Sequence, residues 1–164
     1  DLPINLEKFS SFNSDFKTKF IELINPEISF DFLGGLYLSV FRKNNWDKNL
    51  KRLNQKNLNN NLLFSNIDNT YPHIKIFSYA FKNSEAYFCS KALSINLFGV
   101  REWTSLYPIV RSVRSVDALN FYYKNGLPLI KLFKYKNYAL QYFGPDVLKL
   151  LINFKNSYPY LIEI

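Results

Sequence analysis

Apolar residues recur at two different spacings in the second half of the chain, and together these spacings predict a mixed domain. After Gly144-Pro145-Asp146 they recur at i, i+3, i+4 and i+7, which is typical of an amphipathic helix with proline in its first turn. Residues 84–97 show a similar helical spacing and are followed by Gly99. Strands are favoured, by alternation or by β-branched and aromatic residues, at 74–79, 107–116, 127–133 and 160–164.

From Tyr71-Pro72 onward the predicted order of elements is therefore βαββαβ. This is the order of the ferredoxin-like α+β sandwich, with two helices on one face of a four-stranded sheet. The second and third strands would form a long hairpin, because Asn125-Gly126 lies between them and is a common hairpin turn. We expect this domain to cover residues 72–164.

Residues 1–71 show weaker patterns and are interpreted as a mixed N-terminal extension. A helix is predicted between Ser14-Asp15 and Asn25-Pro26, a hairpin around Gly34-Gly35, and a basic helix over residues 46–58. No long apolar run is present that would build a large separate core. We therefore expect the extension to order against residues 72–164 or against neighbouring proteins.

Composition and charge narrow the classes of function. Hydrophobic residues make up 48% of the 164 residues and aromatic residues 18%, which excludes general disorder. No apolar run approaches the roughly 18 residues of a membrane-spanning helix. The 21 Lys and Arg against 13 Asp and Glu leave a net charge of +8, which favours a polyanionic partner such as nucleic acid or an anionic membrane surface.

Candidate chemistry is sparse. The chain has one cysteine, Cys89, and one histidine, His73, which excludes an internal disulfide and a four-ligand zinc site of Cys and His. We interpret His73 as a surface or strand-edge residue and Cys89 as a small buried residue on a helix, and not as a catalytic pair. No paired carboxylates and no glycine-rich phosphate loop are recognisable. The sequence predicts no catalytic residue, no metal, no cofactor and no small-molecule substrate.

The positive charge is concentrated in two blocks. Residues 41–60 hold six basic and one acidic side chain, and residues 101–136 hold seven and two. In the second block the cations alternate with aromatic residues, which suits phosphate binding and base stacking, although a solvated face is the alternative. The RNA-binding candidates are Arg42, Lys43, Lys48, Lys51, Arg52, Lys56, Arg101, Arg111, Arg114, Lys124, Lys131, Lys134 and Lys136.

Several short motifs resemble a ribosomal protein family. Ser78-Tyr79 precedes the helix that ends before Gly99, and Ile109-Val110-Arg111-Ser112-Val113 matches an apolar-apolar-basic-Ser step on the second strand. With these motifs, residues 72–164 resemble the tenth small-subunit ribosomal protein in its mitochondrial form. The basic steps of that family are replaced here at residues 101–105, 114–118 and 126–128, so its direct rRNA contacts are not carried over.

The resemblance implies a structural constituent of the mitochondrial small ribosomal subunit. Such a protein would lie in the subunit head, where it would bind rRNA and other small-subunit proteins and would have no enzymatic activity. The alternative is a soluble accessory subunit of an organellar membrane complex, since respiratory assemblies also contain small, basic, aromatic-rich proteins. The richness in Asn, Lys, Phe, Tyr and Ile is typical of AT-rich organellar or parasite genomes, and the lack of Met indicates that Asp1 is not the translational start.

Overall fold

The structure is a computed structural model that describes residues 12–25, 39–91 and 104–161. This part of the chain is predominantly helical. The short first helix is α1 (Phe20–Leu23), and the larger part of the molecule consists of α2 (Lys43–Asn49), α3 (Gln55–Leu58), α4 (Ile67–Thr70), α5 (Pro72–Ala80), α6 (Tyr107–Ile109), α7 (Ser115–Lys124), α8 (Leu129–Ala139), α9 (Phe143–Ile152) and α10 (Phe154–Leu161). Single 3-10 turns, Leu50–Arg52 and Thr104–Leu106, follow α2 and precede α6.

The prediction of a ferredoxin-like βαββαβ sandwich is wrong. Among the described residues the sheet consists of β1 (Phe16–Lys19) and β2 (Glu85–Phe88), which pair antiparallel with Phe16 opposite Phe88. The predicted helix over 84–97 begins instead as β2, and Leu93, Leu97 and Gly99 lie outside the described residues. The Gly34-Gly35 hairpin also lies outside them.

The first predicted strand, residues 74–79, lies within helix α5. Pro72 occupies the first turn, where its missing N–H costs nothing. Ile74, Phe77 and Phe81 are buried at i, i+3 and i+7, which places them along one side of a helix. The alternation that suggested a strand extends over only a few residues, and such a short run fits either period.

The predicted long hairpin is also wrong, because both of its strands are helical. Residues 104–124 form one continuous helical segment in which Val110–Arg114 are π-helical, and residues 129–139 form α8. Leu132, Tyr135 and Ala139 are buried at i, i+3 and i+7 of α8. Intrinsic preferences of β-branched and aromatic residues amount to roughly 1 kcal/mol or less per residue, so burial of such a stripe outweighs them.

Asn125-Gly126 ends helix α7 and does not form a hairpin turn. The Leu127 N–H donates to the Tyr122 carbonyl at 3.0 Å and the Gly126 N–H donates to the Tyr123 carbonyl at 3.1 Å. These two bonds form the Schellman motif, which satisfies the last carbonyls of a helix. The motif needs a residue with positive φ, and Gly126 has a φ of 116°. The same dipeptide therefore serves as a helix C-cap.

Three other predictions have different outcomes. The helix predicted after Gly144-Pro145-Asp146 is confirmed as α9, although of its apolar stripe only Leu150 is fully buried. The strand predicted over 160–164 is not present in the described part, where Tyr160 belongs to α10 and residues 162–164 are outside the description. The predicted basic helix is interrupted, since α2, a 3-10 turn and α3 share its residues.

The largest core cluster joins residues from both halves of the chain. Ile21, Ile24 and Ile67 are buried in the same cluster as Leu119 and Tyr122. Burial in this cluster raises the pKa of Tyr122. A second cluster forms around Phe77 on α5, and a third lies between α6, α9 and α10. Residues on both sides of the predicted boundary at residue 71 thus share one core.

Candidate nucleic-acid interface

The six cations of the first basic block lie on one short helical segment. We call the group formed by Arg42, Lys43, Lys48, Lys51, Arg52 and Lys56 the basic patch. Its members lie on α2, on the 3-10 turn that follows, on α3, and at the position just before α2. All six are exposed.

Aromatic residues on the inner side of this segment hold the basic patch against the body of the molecule. The Phe41 ring stacks on Trp46 with a centroid distance of 5.3 Å, and both rings contact Phe77 of α5, at 5.0 and 5.9 Å. Leu53 packs on the same cluster. Because the apolar side chains occupy the inner side of the segment, its cations are left in solvent.

The basic patch has few internal partners. None of its six cations forms an ion pair with a described residue. Asp47 is the one acidic residue between positions 42 and 56. The Arg52 guanidinium lies 3.9 Å from the centroid of the Tyr79 ring, a cation–π contact that fixes the stem but leaves the guanidinium N–H groups available. Among the described residues, the cations of the patch therefore lack ion-pair partners.

Amide side chains fix the local shape of the patch. Asn54 caps α3, and its Oδ1 accepts hydrogen bonds from the backbone N–H groups of Lys56 at 3.0 Å and Asn57 at 3.4 Å. The Asn57 amide donates to Asp68 at 3.2 Å and so ties α3 to α4. The Asn49 amide donates to the Asn45 carbonyl at 2.8 Å within α2. These bonds stabilise α2 and α3, the two helices that carry most of the cations.

Arg111, from the second basic block, is engaged inside the fold. Its Nε donates to Asp146 Oδ2 at 2.9 Å, and a second guanidinium nitrogen donates to Asp146 Oδ1. The guanidinium also lies 4.6 Å from the Tyr142 ring centroid. Ser112 donates its hydroxyl to the same carboxylate. This arrangement anchors the helix of residues 104–124 to α9.

The carboxylate of Asp146 is fully buried. Burial alone would raise its pKa, but the hydrogen bonds from Arg111 and Ser112 and the charge of Arg111 together hold the pKa below its ordinary value. The hydrogen bonds to Asp146 raise the pKa of Arg111. The pair therefore stays ionised at neutral pH.

Arg114 is buried and also serves the fold. Its Nε donates to the Phe64 carbonyl at 2.7 Å, one terminal nitrogen donates to the Ser65 carbonyl, and the other donates to Asp117 at 2.7 Å. The guanidinium thus joins the π-helical segment to the loop before α4. Phe64 itself has a φ of 62°, and the Arg114 bond to its carbonyl helps to hold that conformation.

The remaining candidates of the second block differ in exposure. Lys131 donates to Glu22 of α1 in a partly exposed ion pair. Lys124 and Lys134 are exposed and Lys136 is half-buried. Arg101 lies outside the described residues. Lys131 is therefore paired within the fold, whereas Lys124 and Lys134 reach solvent.

Sequence reasoning missed three residues that shape these surfaces. Asp146 is the buried partner of Arg111, although its position after Gly-Pro indicates only a helix start. Tyr79, the ring beneath Arg52, carries no distinguishing sequence signal. Asn54 precedes α3 and is a recognisable N-cap.

The two candidate nucleophile or base residues lie in ordinary structural settings. His73 is buried in the first turn of α5, and its ring lies 5.9 Å from those of Tyr71 and Phe77, so its prediction as a surface or strand-edge residue is wrong. Cys89 is half-buried just after β2, so its prediction as a buried residue on a helix is also wrong. Its thiol lies 3.9 Å from the Lys91 carbonyl. Within the described ranges no three His, Cys, Asp or Glu side chains come together as metal ligands.

A shallow cleft of about 340 Å³ lies where the start of the 104–124 segment meets α9 and the residue that follows it. Arg111, Lys149 and Asn153 line it together with hydroxyl groups of Thr104, Ser105 and Tyr107. This lining offers cations and hydrogen-bond groups, and no carboxylate, histidine or thiol contributes to it.

Across the described ranges, no helix is both long enough and apolar enough to pass through a bilayer.

Comparison of the chain with protein-family models, with curated proteins and with solved structures gave no match.

Proposed function

We propose that the protein is a structural RNA-binding component of a ribonucleoprotein particle and that it binds RNA phosphates through the basic patch. The observation that carries the proposal is the exposure of six cations within 15 residues, none of which forms an ion pair with a described residue. From the sequence resemblance we propose the small subunit of the mitochondrial ribosome as the particle, with its rRNA and neighbouring proteins as partners, although the matching residues 109–113 lie in a helical segment and not on a strand.

Some cations are bonded inside the fold and others are left exposed, and this difference supports the proposal. Arg111 and Arg114 donate to internal acceptors, so their charges are used in folding. In the part of the chain that the structure describes, the cations of the basic patch have no such ion-pair partners, and like charges held close together repel each other. A polyanion relieves this repulsion and releases its counterions on binding, which provides a large part of RNA affinity.

The expected mode of binding is contact with the backbone of RNA. The patch presents flexible lysine ammonium groups, which act as point charges, and only Arg42 and Arg52 present guanidinium groups. No run of exposed aromatic side chains accompanies them in the described part of this segment, which disfavours extensive base stacking. The patch therefore suits positioning on a folded RNA more than reading of a base sequence.

The salt dependence of RNA affinity tests this function. Fluorescence anisotropy with a labelled single-stranded RNA would be measured over a range of KCl concentrations. The variant Lys48→Gln, Lys51→Gln, Arg52→Gln should reduce the slope of log affinity against log salt by roughly 2, since each lost phosphate contact removes roughly 0.7. The matched control Lys17→Gln, Lys19→Gln, Lys82→Gln removes three exposed cations elsewhere and should leave the slope close to that of the unsubstituted protein. Equal slopes for the patch variant and the unsubstituted protein would refute the proposal.

A second candidate function is supported by a separate observation. Large apolar side chains are exposed on α9 and α10, which favours an accessory subunit of an organellar membrane complex. The two functions differ on fractionation of a mild detergent lysate. A ribosomal component should sediment with small subunits and be released by RNase, whereas an accessory subunit should stay with a membrane complex after RNase treatment.

A further inference from the structure

The two last helices of the described chain expose a set of large apolar side chains. We call Leu148, Leu151, Ile152, Phe154 and Tyr158 the apolar face. Ile152 is 78% exposed and each of the others is at least 50% exposed. Isolated exposed apolar residues are common, but five within 11 residues form a candidate interaction surface.

The side chains of the apolar face are grouped on each of the two helices. Leu148, Leu151 and Ile152 stand at i, i+3 and i+4 of α9 and so project from one side of the helix. The rings of Phe154 and Tyr158 contact each other on α10, with centroids 5.1 Å apart.

Buried contacts fix α9 and α10 against the body of the molecule. Leu150 and Tyr160 are buried against Ile109 of α6. The Ser157 hydroxyl donates to the carbonyls of Leu150 and, at 2.6 Å, Asn153, which joins the two helices. Together with the Asp146–Arg111 pair, these contacts present the apolar face on a fixed surface.

Within positions 118–161, the exposed charges beside the apolar face belong to lysines. Lys149 and Lys155 are exposed beside it on α9 and α10. Asp146 is the one acidic residue among positions 118–161, and it is fully buried in its pair with Arg111. Within these positions the structure therefore presents lysines and apolar groups to solvent, with no exposed carboxylate.

The combination of exposed aliphatic side chains with lysines favours a lipid surface over RNA or protein as the partner. Leu148, Leu151 and Ile152 are aliphatic and cannot stack on bases, so RNA is disfavoured. Protein interfaces are depleted in lysine relative to the rest of the surface. A bilayer interface with anionic headgroups accommodates both features, since aliphatic side chains insert at the acyl boundary while lysines and a tyrosine hydroxyl stay among the headgroups.

We propose that the apolar face binds peripherally to the surface of an anionic phospholipid membrane, with Lys149 and Lys155 contacting the headgroups. This binding is separate from RNA binding by the basic patch. It requires no membrane-spanning helix, and it adds a lipid partner to the proposed RNA partner.

Vesicle cosedimentation of the full chain tests the proposal. The vesicles would be phosphatidylcholine alone or phosphatidylcholine mixed with phosphatidylglycerol, and the protein should bind the mixed vesicles more tightly. The variant Leu148→Gln, Leu151→Gln, Ile152→Gln should lose roughly 30-fold in binding, because partial insertion of each aliphatic side chain contributes roughly threefold or more. The control Val40→Gln, Leu63→Gln removes exposed apolar side chains elsewhere and should bind like the unsubstituted protein.

A second variant tests the electrostatic part independently. Lys149→Gln, Lys155→Gln should lose roughly 25-fold in binding to the mixed vesicles, because each lysine contributes roughly fivefold near an anionic surface. Its binding to phosphatidylcholine alone should not change. Both variants should bind RNA as the unsubstituted protein does, since the basic patch is intact.

Several results would overturn the proposal. One is failure of the unsubstituted protein to bind mixed vesicles, and another is equal vesicle binding by all variants. A dimer in light scattering that the aliphatic variant abolishes, without vesicle binding, would assign the apolar face to contact between copies. Loss of RNA binding in either variant that keeps the melting temperature of the unsubstituted protein would assign the face to RNA.

Discussion

The substitution Asp146→Asn should destabilise the fold without touching the basic patch. It keeps the size of the side chain but removes the charge that accepts two bonds from Arg111 and one from Ser112. Arg111 would then remain beside a neutral amide at a site where its side chain is only 23% exposed. The helix of residues 104–124 would lose its charged anchor to α9.

The expected loss of folding free energy follows from the burial of this ion pair. Breaking a buried ion pair by removing one partner costs roughly 3 to 5 kcal/mol. Arg111 keeps partial access to water and the Tyr142 ring, so we expect about 3 kcal/mol, at the lower end of that range. For a chain of this size, such a loss lowers the melting temperature by about 6 to 12 °C.

Urea unfolding and thermal melts at pH 7 would measure this loss, with the exposed Asp47→Asn as control. The pH dependence gives a second check. The folded pKa of Asp146 lies below its unfolded value of about 3.9, so the contribution is complete above that value and is lost as pH falls through the folded pKa. The stability difference between the two proteins should therefore be constant near neutral pH and shrink below about pH 4. A loss within about 0.5 kcal/mol at pH 7 would show that the pair is not an anchor.

Two more stability predictions follow from the second basic block and the turn after α7. Arg114→Gln should lower the free energy of unfolding by about 2 to 3 kcal/mol, because the Phe64 and Ser65 carbonyls lose a charged donor. Urea unfolding would measure this loss, and fluorescence anisotropy should show an unchanged RNA affinity of the folded protein. A loss of RNA affinity without a loss of stability would contradict a structural role of Arg114. Gly126→Ala should lower the free energy of unfolding by about 1 to 2 kcal/mol, because a φ of 116° disfavours any side chain although the space around Gly126 is open. Gly144→Ala is the control, since Gly144 also has open space around it but no positive φ. Equal melting temperatures for the two variants would refute the argument from backbone strain.

The fold was only partly predictable from sequence, because two similar patterns had opposite outcomes. Four apolar positions in helical register over residues 84–97 predicted a helix, but this stretch begins as β2. The helix after Gly144 carries four apolar positions in helical register, and it is present. Residues 74–79 alternate over too few positions to exclude a helix, and Asn125-Gly126 suits a hairpin turn and a Schellman cap equally. In both places, burial against distant elements decides the outcome, and a local pattern carries no information about that burial.

The candidate site was also only partly predictable from the sequence. Counting charge found the basic block of residues 42–56, because exposed cations need no partner in the sequence. It could not separate this block from Arg111 and Arg114, whose partners lie 35 and 50 residues away along the chain. Only the tertiary fold shows which cations are used internally and which remain for a ligand.

Ultraviolet crosslinking of the protein to RNA in its native particle tests the central claim most directly. After RNase and protease digestion, mass spectrometry would identify the peptides that carry nucleotides. We expect crosslinked peptides that contain residues of the segment 42–56, with small-subunit rRNA as the attached RNA. Crosslinks confined to other segments, or no crosslinked peptide from a particle that contains the protein, would contradict it.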